Sequence, residues 1–114
     1  MKYIILLSIL FSSISFAGGW TGWAVPTRVD VEGVSGFMVY GAFGNSGGCT
    51  VENQFYVQKG HPQYKEIYAT ALAAFMGGKK VQTYIHSCGA VGWYSLSPTA
   101  FNIMGPTSAL NLTH

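Results

Sequence analysis

Over positions 27–32 apolar or neutral residues alternate with charged ones: Thr27, Val29 and Val31 share one parity, and Arg28, Asp30 and Glu32 the other. Side chains of an extended chain point alternately to opposite faces, so this period predicts a half-buried strand with one solvated face. After a turn at 33–36, positions 37–43 read as a second, more apolar strand in which Gly41 marks a bulge or a close approach. Gly44-Asn45-Ser46-Gly47-Gly48 is a loop, because glycine and asparagine tolerate positive φ. A third strand is predicted over 49–58, with Cys49, Val51, Phe55 and Val57 on one parity.

The period then changes. Tyr64, Ile67, Tyr68, Ala71, Leu72 and Phe75 recur at the three- and four-residue spacing of one helical face. Pro62 suits the first helical position and the Gly77-Gly78 pair a left-handed C-cap. Ala69, Ala73 and Ala74 leave another side small and smooth, which helix propensity explains and a packed neighbour would also use. Alternation resumes over 79–86, with Val81, Thr83 and Ile85 opposite Gln82, Tyr84 and His86. Positions 93–96 are extended, a last strand is predicted over 99–104, and the tail beyond Gly105-Pro106 reads as irregular. The chain is thus expected to be mainly β with one helix, in the order β-β-β-α-β-β. That is the order of an OB-fold-like five-stranded barrel, and an α+β sandwich with the helix on an open sheet shares it.

The first residues add a destination. Lys2, an apolar run over 3–14 and Ser15-Phe16-Ala17 follow the order of a secretory signal peptide, with cleavage expected after Ala17. The run is shorter than the ~20 residues a membrane-spanning helix needs, so no membrane span is expected after cleavage. The short basic start and the Ser-x-Ala ending are bacterial in character, which directs the product to the periplasm or medium of a Gram-negative bacterium. The remaining 18–114 is enough for one domain and too little for two cores. Without Lys2, the charges are Arg28, Lys59, Lys65, Lys79 and Lys80 against Asp30, Glu32, Glu52 and Glu66. Cations so scattered neutralise few phosphates, and nucleic acid is not an expected partner.

Two cysteines in an exported chain are most simply a disulfide, Cys49 to Cys88. If Val81 and Ile85 face the core, Cys88 falls on the wrong parity and needs a twist or bulge to reach its partner. His86 and Cys88 lie two apart, but a structural zinc site needs four ligands at recognisable spacing, so neither metal nor cofactor is expected. Catalytic readings are equally thin. Asp30 and Glu32 belong to a solvated strand face, and His61 beside Pro62 shapes the turn into the helix. Trp20, Trp23, Trp93 and Tyr94 lie outside the clearest core parities, where they suit stacking on a sugar, filling a protein interface, or capping the barrel ends.

Cys49, Val51, Lys65-Glu66, Ala71, Phe75, the glycine cap, Val81 and Ile85, together with GVSGFMV at 33–39, resemble the B subunit of the subtilase cytotoxin family, the glycan-binding pentamer of a bacterial AB5 toxin. The resemblance implies an OB-fold, self-association into a ring of five with helices toward the axis, and recognition of a sialylated glycan contacted by Ser35. Trp93 and Tyr94 join Ser35 as glycan-binding candidates. The chain departs from that family in having a single cysteine pair and a different region after Cys88. The expected function is an exported, non-enzymatic binding module; the alternative is a monomeric periplasmic protein that binds or inhibits another protein.

Overall fold

A computed structural model describes residues 18–32, 35–92 and 100–114. The signal peptide expected at 1–17 and the candidates Trp93 and Tyr94 lie outside the described residues. Among the described residues the chain is mainly β with one helix. In order these are β1 (Gly19–Trp20), β2 (Arg28–Glu32), β3 (Gly36–Tyr40), β4 (Gln54–Gln58), α1 (Tyr64–Gly77), β5 (Lys80–Ile85), β6 (Ser87–Gly89), β7 (Phe101–Met104) and β8 (Leu110–Thr113). The strands form two sheets and not one closed ladder: β2-β3-β4-β7-β6, and β1-β5-β8. All pairs are antiparallel except β4 with β7.

The central strands of the larger sheet are buried on both faces, which is why their sequences run apolar without alternation. Phe37 pairs with Val57 and Val39 with Phe55 on one face, and Met38 pairs with Tyr56 on the other. The first face meets Ile67, Ala71 and Ala74 of α1, Val81 and Ile85 of β5, and Met104 in the main core. The second gathers Met38, Tyr56, Val91, Phe101 and Ile103 into a separate cluster.

Five sequence expectations change here. The third strand starts at Gln54, because Asn53 takes a left-handed φ of 63° and breaks the extended run. Val51 therefore packs with the second cluster while Phe55 and Val57 stay in the main core. Val31, expected on the buried side of β2, is 53% exposed. The helix buries Ile67, Ala71 and Ala74 and leaves Phe75 42% exposed, since alanines let the helix approach the sheet while Tyr64 and Tyr68 flank Phe37 edge-on. The tail is not irregular: Leu110 and Leu112 stand opposite Thr83 and Val81 as β8 pairs with β5. Pro62, expected at the first helical position, lies before the Gln63 cap, while two local expectations hold. Gly78 caps α1 in the left-handed conformation, and Gly41 sits where another side chain would meet the Phe43 ring.

Cys49 and Cys88 form the disulfide. The parity problem is solved at His86, which interrupts the strand between β5 and β6: its N–H turns to the Ile103 carbonyl at 3.1 Å, and the chain changes sheets. Cys49 lies ahead of β4, in a loop without regular structure, yet that loop is tightly specified. Asn102, 1% exposed on β7, accepts from the Gly47 N–H (3.0 Å) and donates to the Val51 carbonyl (3.1 Å) and to Asn45 Oδ1 (3.2 Å). Asn45 in turn accepts from the Cys49 N–H and donates to the Cys49 carbonyl.

Closing the loop between the two cysteines is worth about 4 kcal/mol in the chain-entropy model. Asn102→Ala would leave the Gly47 N–H and the Val51 carbonyl buried without partners, a loss of about 3 kcal/mol. Because bond and amide order the same loop, their effects should be non-additive: urea melts are expected to show a smaller Asn102→Ala effect in the Cys49→Ser/Cys88→Ser background than with the bond intact.

Candidate functional site

Ser35 stands just before β3, at a point where three elements converge. Its N–H donates to Glu32 Oε1 at 2.9 Å, its carbonyl accepts from the Lys59 N–H at 2.9 Å, and its Oγ accepts from the Tyr56 hydroxyl at 2.8 Å. The next residue must be glycine. Gly36 has φ of 152°, and a Cβ there would overlap the Val57 carbonyl and stand 2.7 Å from the Tyr56 hydroxyl. The close approach brings the serine and tyrosine hydroxyls together.

Beside this pair opens a cleft of 390 Å³. Ser35, Tyr56, Gln58 and Lys59 supply its polar side, and Val91 and Gly92 close it from the segment after β6. Gly92 immediately precedes Trp93 and Tyr94, the two candidates beyond the described residues. Of the three glycan-binding candidates the structure therefore locates Ser35, and it adds Tyr56, Gln58 and Lys59. Tyr56 carried a signal in the sequence: it is a hydroxyl-bearing side chain of opposite parity between Phe55 and Val57 in an otherwise apolar strand.

Of the two carboxylates on the β2 face, Asp30 accepts from Arg28 Nε at 2.8 Å and Glu32 from the Ser35 N–H. Both cysteines are in the disulfide and neither is a free thiol. His61 lies buried at the entrance to α1, where its Nδ1 accepts from the Gln63 N–H at 3.0 Å, the turn-shaping role expected of it. Among the described residues no helix is long and apolar enough to cross a membrane.

Burial first, then the neighbouring Tyr56 and Tyr68, raise the pKa of Tyr64 above its ordinary value. Comparison with protein families, curated proteins and solved structures returns no match for this chain.

Two predictions follow from this geometry. Gly36→Ala should destabilise the fold by at least about 2 kcal/mol, because strain and overlap coincide at one Cβ; thermal melts would read it. Tyr64 keeps its proton longer in the folded than in the unfolded chain, so its contribution to stability is intact below pH of about 10 and is lost as pH rises further. Urea melts at neutral and strongly alkaline pH should show that decline, and Tyr64→Phe should reduce it.

Proposed function

We propose that this chain is an exported, non-enzymatic carbohydrate-binding module built as an OB-fold-like barrel, with the Ser35 cleft as its glycan site. Three features support the barrel reading. The larger sheet runs in the order β2-β3-β4-β7-β6, so the third and last strands of the expected five lie side by side as a parallel pair, β4 with β7. Only His86 separates β5 from β6, so one strand serves both sheets. Between β1 and β2, Ala24 bridges to Val81, which lets the N-terminal strand do the same.

The observation that carries the glycan reading is the hydroxyl pair of Ser35 and Tyr56 on the wall of a polar cleft. Because Tyr56 donates to Ser35 Oγ, the serine keeps its own proton for an acceptor in the cleft. Gln58 adds an amide and Lys59 a positive charge to the same wall. A sialylated sugar offers a carboxylate and several hydroxyls, which such donors recognise through charge-assisted and neutral hydrogen bonds. Self-association into a ring is supported by Phe75 and by Met76, which is 78% exposed near the end of α1 and leaves apolar surface for another copy to cover.

A glycan array probed with residues 18–114 should show binding to sialylated sugars. Ser35→Ala should weaken it about tenfold while leaving the circular dichroism unchanged. A monomeric mass in light scattering together with silence on the array would overturn the proposal. Recovery of a specific periplasmic partner, insensitive to competing sugar, would favour the protein-binding alternative.

A further inference from the structure

The three-stranded sheet carries an aromatic row on the face turned away from the core. Val81, Thr83 and Ile85 of β5 point inward and are fully buried. Period two therefore sends Gln82 and Tyr84 outward, with Asn111 of β8 opposite Gln82. Trp20 is the direct cross-strand partner of Tyr84, their ring centroids 5.5 Å apart and their planes at 89°. His86 extends the row, 5.0 Å from the Tyr84 ring.

These rings are held in position and still accessible. A Cβ on Gly105 would stand 2.8 Å from His86 Nδ1, so the imidazole lies directly against glycine backbone, and Thr107 Oγ1 is 3.3 Å from its Nε2. Trp20 remains 50% exposed.

The polar groups around the row narrow the ligand. Gln82 is engaged within the sheet, its Oε1 accepting from Asn111 Nδ2 and its Nε2 donating to the Thr21 carbonyl. That leaves Asn111 Oδ1 as an acceptor, with the Tyr84 and Thr107 hydroxyls able both to donate and to accept. Among the described residues no Asp or Glu belongs to this face, and Lys80 sits at its far end opposite Thr113. A proline-rich segment also docks on aromatic rows, but its prolines carry no N–H and offer the Asn111 Oδ1 acceptor no partner. A sugar ring meets both conditions: its C–H face covers an aromatic ring, and its hydroxyls donate as well as accept.

We propose that Trp20, Tyr84 and His86 form a second carbohydrate site, which stacks a neutral pyranose and is independent of the Ser35 cleft. Trp20 and Tyr84 belong to the smaller sheet, Tyr56 and Gln58 to the larger, and the two sites share no residue.

Isotope-labelled protein, residues 18–114, would be titrated separately with lactose, maltotriose, cellotriose and sialyllactose while backbone amide shifts are followed. At least one neutral sugar should perturb residues 19–21, 82–87 and 107–111 in a saturable manner. Trp20→Ala should weaken that response about tenfold, and Ser35→Ala should leave it unchanged. Trp20→Leu serves if the alanine variant fails to fold, and the wild-type shift map needs no variant. No response to any neutral sugar, or a response confined to residues around Ser35 and Gln58, overturns the proposal. So does a shift at this face produced by concentrating the protein without sugar, which would assign it to a second copy. Failure of sialyllactose to bind near Ser35 would count against the cleft alone.

Discussion

The buried amide of Asn102 is the constraint on which most of this fold depends. It lies at the end of the main core, where the segment 44–51 crosses without regular structure and would otherwise present backbone groups with no ladder to join. Asn102 replaces the missing ladder: it accepts from Gly47 and donates to Val51, while Asn45 does the same for both backbone groups of Cys49. A buried polar network of this kind is stabilising only when every member is satisfied, and it then specifies a single arrangement. The disulfide acts on the same loop from the other side, tying it to β6. Cys49 Sγ lies 3.3 Å from Asn102 Oδ1, a contact and not a hydrogen bond because the oxidised sulfur carries no proton.

With that end fixed, the larger sheet can bury both its faces. One meets the helix and the smaller sheet; the other is covered in part by Val91 beyond β6, packed with Tyr56, Phe101 and Ile103. Tyr56 belongs to both the packing and the candidate site. Its ring is buried in the second cluster and its hydroxyl reaches Ser35 at the cleft, the division of roles that an amphipathic aromatic side chain permits. The cleft is consequently anchored in core packing and not in loop conformation alone.

Hydroxyls, amides and aromatic groups occur together at the Ser35 cleft and on the outer face of the smaller sheet, and the two glycan proposals rest on that chemistry. The exposed Phe75 and Met76 form a third kind of surface, apolar and without hydrogen-bonding groups, suited to contact with protein. The described residues thus present three surfaces of different chemistry.

The sequence by itself determined what depends on local period and local backbone freedom. The mainly β character, the single helix, its glycine cap, the inward parity of Val81 and Ile85 and the cysteine pairing were all legible there. So was β8 in principle, through the alternation of Leu110 and Leu112. The tertiary structure decided what depends on neighbours distant in the chain. It turned the helix so that Ala74 is buried and Phe75 is not, because close approach to the sheet favours small side chains. It inverted the parity ahead of β4 at Asn53, broke β5 from β6 at His86 to bring Cys88 to Cys49, and set Ser35 against Tyr56, 21 positions away in sequence. A period records which residues of one element share a face; which partner that face meets is set by register between elements, and no local pattern contains it.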